Sequence, residues 1–319
     1  MRAAVYRRYG PPEVVKLMEV EKPVAGDTEI LVRVFVSTVD RTDCGFRSAE
    51  YFISRFFSGL FRPKYKILGC EYAGLVEEIG SKVSLFNIGE RVFGYNDIKF
   101  GGHAAYVAVN EADTITKIPG NLSYEEAAPI PEGAHYALGS IRASKIKKGQ
   151  NALVYGATGA IGSAAVQLLN HMEVKVTAVC NTKNIGLIKS LGVYEVIDYQ
   201  TQDFTKTETR FDFIFDAVGK SSFKTCKPLL NNNGIYISTE LGKHAENIFL
   251  ALLTSLIGNK KVMFPIPSIK KEDLEYLKKL TEKGEFRPII DRTYPLEEIV
   301  EAYKYVEAGH KTGNVLITI

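Results

Sequence analysis

The stretch NALVYGATGAIGSAAVQLL, residues 151–169, constrains the fold more than any other segment. An apolar strand runs into a glycine-rich turn and on without interruption into a run of helical periodicity, the context that a dinucleotide-binding turn requires. Read as A-x-G-x-x-G, it places Ala157, Gly159 and Gly162 in the pattern, with Gly156 just ahead and alanine where the usual first glycine stands. Gly159 lets the backbone approach a diphosphate, Gly162 lets helix and strand pack closely, and the helix N-terminus offers unpaired N–H groups at the positive end of a dipole. Gly156, Ala157, Thr158, Gly159, Ala160 and Ile161 are therefore candidate cofactor contacts; a purely structural glycine turn is the alternative.

The next strand, VKVTAVC, ends where an NAD-preferring site carries an acidic residue for the ribose 2′-hydroxyl. Here the sequence is Cys180-Asn181-Thr182-Lys183. The missing carboxylate removes repulsion toward a 2′-phosphate, and Asn181 and Lys183 have the chemistry to bind one, so the expected cofactor is NADPH. A solvated lysine at a helix start is the plainer reading of Lys183.

Around this turn the rhythm divides. Residues 1–122 read as short strands, among them EILVRVFVSTV, YAGLVEEIG and AAYVAV, separated by turn residues, which points to a compact antiparallel barrel. Residues 123–291 alternate apolar strands (Ala152–Tyr155, Lys175–Cys180, Glu195–Ile197, Phe213–Asp216, Gly234–Ser238) with helical patterns that include Ile161–His171 and Asn184–Leu191, which implies a parallel sheet. Residues 292–319 return to strand and turn character in VLITI and rejoin the barrel. The expectation is a two-domain α/β chain with a cofactor cleft between barrel and doubly wound sheet, and 319 residues suit two cores.

Forty basic against 37 acidic residues, without a block of like charge, make nucleic acid an unexpected partner. No stretch reaches the ~20 apolar residues of a membrane span, and the N-terminus lacks a signal-peptide pattern, so the expectation is a cytoplasmic protein with no membrane partner. The most apolar run, Ile248 to Ile257, suits a buried helix or a dimer face. Four cysteines without CxxC spacing suggest reduced, buried thiols.

The chain resembles the medium-chain dehydrogenases/reductases, in particular the zinc-free quinone oxidoreductase branch with zeta-crystallin and the enone and alkenal reductases. The resemblance rests on LVYGATGAIGSAAVQLL, GCEYAGLVEEIG, GERVFG, GGHAAYVAV, SLGVYEVIDY, FDFIFDAVG, GEFRPIIDRTYPLEEIVEAYKYVEAGH and the terminal GNVLITI, in order and nearly end to end. It implies a GroES-like antiparallel β-barrel from residues 1–122 and 292–319, a Rossmann domain from 123–291, and a homodimer. It implies that NADPH delivers hydride to a small quinone, enone or alkenal.

Zinc-dependent relatives carry C-x-S/T-D and G-H-E motifs and a further cysteine. This chain has Asp40-Arg41-Thr42-Asp43, Gly69-Cys70-Glu71 and PIPEGAHYAL instead, so no metal is expected, although Asp40, Cys70, Glu71 and His135 are all ligand-capable. Asp40, Arg47 and Tyr51 match the family pattern N-x-x-D-x-x-x-R-S-G-x-Y and are the catalytic candidates. Asp40 stands for an asparagine beside nicotinamide and substrate, where an ionised carboxylate would repel an anionic intermediate unless protonated or paired with Arg47. Tyr51 is a proton donor, a substrate contact or a packing aromatic. Tyr199 matches a tyrosine near the 2′-phosphate, Asn184 a phosphate-binding lysine, and Ala217, Val218 and Gly219 the segment against the nicotinamide; His135 replaces a threonine near the cofactor. Two other readings stay open: a zinc-dependent alcohol or aldehyde dehydrogenase with nonstandard ligands, and a catalytically weak NADPH-binding sensor or structural protein.

Overall fold

The computed structural model describes residues 1–49 and 55–319. The chain forms two compact units, Met1–Glu132 with Ile269–Ile319, and Gly133–Ser268.

The first unit contains β1 (Arg2–Val5), β2 (Lys16–Glu19), β3 (Glu29–Val39), β4 (Glu71–Ile79), β5 (Arg91–Tyr95), β6 (Tyr106–Asn110) and β7 (Ile115–Lys117), with β14 (Ile290–Pro295) and β15 (Asn314–Thr318) returning from the C-terminus. Its main sheet runs β14-β15-β3-β4-β5-β7, with β6 added on β3, and all pairs but β14–β15 are antiparallel. This is the expected GroES-like barrel. The long β3 organises it: Ile30, Val32 and Val34 alternate inward to meet Tyr72, Val76, Val92 and Ile115.

The second unit holds β8 (Asn151–Tyr155), β9 (Lys175–Cys180), β10 (Glu195–Asp198), β11 (Phe211–Asp216), β12 (Leu230–Ser238) and β13 (Lys261–Met263), all parallel in the order β10-β9-β8-β11-β12-β13. The order reverses beside β8, the strand that feeds the glycine turn, which is the Rossmann arrangement. Helices Ala160–His171 and Ile185–Ser190 occupy the predicted places. The sixth strand, Lys261–Met263, has only three residues and no alternation, and the sequence pattern did not reveal it.

Sequence rhythm put the domain boundaries at 122/123 and 291/292, whereas the compact units divide at 132/133 and 268/269. Polar pinning accounts for the difference. Helix Lys271–Glu282 lies on the barrel, where Lys271 Nζ donates to Glu111 O at 2.8 Å, Thr116 Oγ1 donates to the Glu275 carboxylate, and Asn121 Nδ2 donates to Glu282 O at 3.1 Å. At the other boundary the rings of Tyr124 and Phe35 meet at 4.9 Å. A helical pattern signals a helix but not the sheet it will cover. Among the described residues no helix is long and apolar enough to cross a membrane.

Candidate functional site

In the second unit the glycine turn is built from backbone. Gly156 has φ +78°, and a Cβ there would press on Val218. A Cβ on Gly162 would lie 2.1 Å from Gly156 O, so the helix start fits against the turn only without one. A Cβ on Gly159 would meet only Gly156 O at 3.8 Å, which leaves open space above the turn. Gly159 is the N-cap of helix Ala160–His171, and no side chain caps that end. The first amides of the helix therefore face this space as donors, an arrangement that fits a diphosphate.

The segment after β11 comes to the same place. Ala217 N donates to Tyr155 O at 3.0 Å, and Val218 packs over Gly156. The organiser is Asp216, which the sequence reading passed over. Its buried carboxylate accepts from the amides of Val218 at 3.2 Å, Lys220 at 3.3 Å and Ser221 at 2.8 Å, and Tyr236 Oη lies 3.3 Å away. Burial raises its pKa, and the amides oppose that shift. Gly219, at φ +63°, completes the loop.

At the end of β9, Lys183 is exposed and Asn181 half-buried, and the buried Asn184 closes a 3-10 turn, Thr182–Asn184. Tyr199 is half exposed and its N–H bonds Cys180 O at 3.0 Å, which sets the ring at the β9 end of the sheet. Asp198 beside it accepts from Thr182 Oγ1 at 2.6 Å and from Gln200 N at 3.0 Å, bonds that hold its pKa below the usual range. Beyond the carboxyl end of β12 lies a groove of about 40 Å³ lined by Tyr136, Ser140, Thr239, Phe264 and Ile266. No motif announced it, since its walls come from three separate elements.

The first unit gathers acids. Asp40 is the N-cap of helix Arg41–Ser48 and shares a capping box with Asp43: Asp43 N donates to Asp40 Oδ1 at 2.9 Å and Asp40 N to Asp43 Oδ2 at 3.4 Å. The Cys70 thiol, just before β4, donates to Asp40 Oδ2 at 2.9 Å and lies 3.9 Å from Glu132 Oε2. Thr42 Oγ1 donates to Glu132 Oε1 at 2.6 Å, and Glu132 N donates to Glu71 Oε1, also at 2.6 Å. All five acidic groups are buried. Burial first, then mutual repulsion, pushes the Asp43 and Glu132 carboxyls and the Cys70 thiol well up and brings Glu71 to about 8; burial also raises Asp40, opposed by its hydrogen bonds from Cys70 and the Asp43 amide. Half-buried Lys311 is a cation whose charge reaches Asp40 and Glu71, and desolvation lowers its own pKa.

Ligand atoms of Asp40, Cys70 and Glu132 lie within 4.8 Å of one another. The sequence reading named Asp40, Cys70, Glu71 and His135 as ligand-capable. The structure groups the first two with Glu132 instead, because Glu71 is engaged by Thr38 Oγ1 at 2.7 Å and by the Glu132 amide. His135 is buried in helix Pro131–Ser144 against the Tyr136 ring at 4.5 Å.

Arg47 corrects an expectation. It does not pair with Asp40; its fully buried guanidinium bonds the Glu307 carboxylate and Gly10 O and stacks 5.1 Å from the Tyr303 ring centroid. It joins helix Arg41–Ser48 to helix Ile299–Glu307. Tyr51 lies outside the described residues.

Residues 26–120 match the family model for the alcohol dehydrogenase GroES-like domain, and residues 191–317 the model for zinc-binding dehydrogenases. Among curated proteins the chain is 29% identical to a 2-methylene-furan-3-one reductase of Solanum lycopersicum, over 99% of this chain and 79% of that one. It is 26% identical, with the same coverages, to an NADPH-dependent alkenal/one oxidoreductase of Arabidopsis thaliana. Among solved structures the quinone oxidoreductase from Coxiella burnetii superposes with a TM-score of 0.89 at 26% identity, covering 100% of this chain and 99% of that one.

Proposed function

Because this chain belongs to the medium-chain dehydrogenase/reductase superfamily, in its quinone oxidoreductase branch, we propose that it uses NADPH to reduce a quinone or an α,β-unsaturated carbonyl such as an enone or alkenal. The observation that carries the reading is the open, uncapped turn above Gly159, into which Val218 and its loop are drawn by Asp216. The bound nicotinamide supplies a hydride. The chain's own part begins with the amides at Ala160 and Ile161, which hold the diphosphate at the positive end of the helix dipole. Asn181 and exposed Lys183 take the 2′-phosphate where an NAD site would have a carboxylate. Asp40, which the family pattern puts beside the substrate, is buried, and burial raises its pKa, which favours the neutral acid facing an anionic intermediate.

The test is turnover with a panel of quinones, alkenals and cyclic enones, NADPH and NADH consumption being followed side by side. The reading expects at least one of these classes to be reduced, with NADPH preferred about tenfold or more, equivalent to ~1.4 kcal/mol. It also expects Lys183→Glu to erase that preference. Binding of NADPH without turnover of any substrate class would leave only a cofactor-binding protein.

One observation favours a second reading. Asp40, Cys70 and Glu132 present one sulfur and two carboxylate donors, a set suited to zinc. A zinc ion there would supply Lewis-acid stabilisation of an alkoxide, the chemistry of an alcohol dehydrogenase. Metal analysis of the purified protein decides: one zinc per chain, lost in Cys70→Ser, supports this reading, and metal-free protein with full quinone or enone turnover supports the first.

A further inference from the structure

The loop that leaves β9 is stitched to the loop that leaves β10. Cys180 and Asp198 are register partners at the ends of those strands, and Tyr199 N donates to Cys180 O at 3.0 Å. Two residues beyond Cys180, Thr182 is held twice: its hydroxyl donates to Asp198 Oδ2 at 2.6 Å, and its amide donates to Gln200 Oε1 at 3.1 Å. Gln200 N donates to Asp198 Oδ1 at 3.0 Å and closes the triangle. Asp198 is only 6% exposed, whereas Thr182 and Gln200 are exposed, so a buried carboxylate anchors a surface threonine. Exposed donors bond water almost as well, so these bonds add little net stability; what they fix is where the backbone runs at Thr182.

The residues on either side of Thr182 are the ones so placed. Asn181 Oδ1 is a buried acceptor with no hydrogen-bond partner among the described residues. Such an atom costs stability until a donor reaches it. Lys183, on the other side, is exposed. The adenosine ribose of NADPH offers a donor, its 3′-hydroxyl, next to an acceptor, its 2′-phosphate. The Asn181 carboxamide carries the complementary pair, Oδ1 for the hydroxyl and Nδ2 for the phosphate, and Lys183 adds a cation for the phosphate. Asp198 would by itself repel a second anion, but each of its oxygens already accepts a hydrogen bond, from Thr182 and from the Gln200 amide.

We propose that Asp198 is a positioning residue for cofactor selectivity: acting through Thr182, it holds Asn181 and Lys183 where the 2′-phosphorylated ribose of NADPH is read. The proposal rests on the NADPH reading above and deepens it, since it names residues that need not touch the phosphate and yet make the site selective.

Calorimetric titration of the intact protein with NADP+ and with NAD+ tests it without turnover. The parent is expected to bind NADP+ about tenfold or more tighter than NAD+. Asp198→Ala, and Thr182→Val, which removes the hydroxyl at nearly constant volume, should each lower that ratio about fivefold, chiefly by weakening NADP+. Asp198→Asn and Thr182→Ser keep a hydrogen bond between the two side chains and should stay within about twofold of the parent ratio. A merely structural latch would lower the melting temperature or weaken both nucleotides alike and leave the ratio in place, which overturns the proposal. A ratio that rises in both Asp198→Ala and Asp198→Asn also overturns it, because the carboxylate would then act by repelling the phosphate. Should Asp198→Ala not fold, Thr182→Val reads the same ratio. A parent with no preference for NADP+ overturns the NADPH reading and this proposal together, whereas a selective parent with equally selective latch variants overturns the proposal alone.

Discussion

The glycine turn of the Rossmann unit and the acid pocket of the barrel unit reach function from opposite directions. At the turn the working parts are backbone amides, and the side chains matter by being small: Gly156, Gly159 and Gly162 clear a space and Asp216 holds the neighbouring loop in register. In the pocket the working parts are side chains. Asp40, Asp43, Cys70, Glu71 and Glu132 are buried together at an electrostatic cost that only hydrogen bonds, retained protons or a cation offset. A backbone site of this kind is indifferent to pH and intolerant of added volume, whereas a carboxylate site tolerates volume better than a change in charge.

The largest expected effect breaks the turn side of this contrast. In Gly162→Ala the new Cβ lies 2.1 Å from Gly156 O and 3.0 Å from the Ala157 Cα, both backbone atoms with no room to yield. We expect a loss of ~3 kcal/mol or more in urea unfolding, with or without NADPH. Gly159→Ala, whose Cβ meets only an oxygen at 3.8 Å, should fold like the parent and weaken NADPH binding about tenfold by crowding the ligand side, a change of ~1.4 kcal/mol. Equal destabilisation by both substitutions would show that the turn is merely structural. Arg47→Ala empties a buried site against the Tyr303 ring and leaves Gly10 O without its donor, and should cost about 2–3 kcal/mol of stability. Activity per folded molecule should survive, and a fall in kcat without a fall in stability would return Arg47 to the catalytic group.

These two regions also differ in how far the sequence disclosed them. The strand, turn and helix of residues 151–169 are contiguous, so the periodicity and glycine spacing contained the geometry, and Ala217–Gly219 was reachable because it follows a strand of the same sheet. The pocket is assembled from Asp40 before one helix, Cys70 and Glu71 at the head of β4, and Glu132 at the start of another helix. Proximity across such separations depends on strand register, which a single sequence does not state. Arg47 shows the same limit: the family pattern fixed its place in the chain, but Glu307, 260 residues away, determines what its guanidinium does. Residues 269–291 were assigned to the parallel sheet because a helical pattern does not name the surface it covers, and contacts such as Lys271 with Glu111 O place that segment on the barrel.

The smallest net effect, in which two groups oppose each other, sharpens the pocket side. His103 Nε2 lies 2.6 Å from Thr38 O, and Tyr303 Oη lies 3.4 Å from Nδ1, which suits a neutral ring donating from Nε2 and accepting at Nδ1. Burial lowers its pKa from 6.5 to about 4. A group depressed in the folded state stabilises the fold above its unfolded pKa, and that stability is lost as pH falls from about 6.5 toward 4, here by ~3 kcal/mol when complete. Glu71, raised from 4.5 to about 8, works in the opposite sense, since acidification through that interval relieves its buried charge and adds stability. Between about 6.5 and 4.5 the two effects oppose each other, so the melting temperature should rise from pH 8 toward 6.5 and then level off. In His103→Gln the rise should continue below 6.5, as read by thermal melts across the series. A plateau unchanged in that variant would mean that His103 is already charged in the fold and that the pocket's neutral core lies elsewhere.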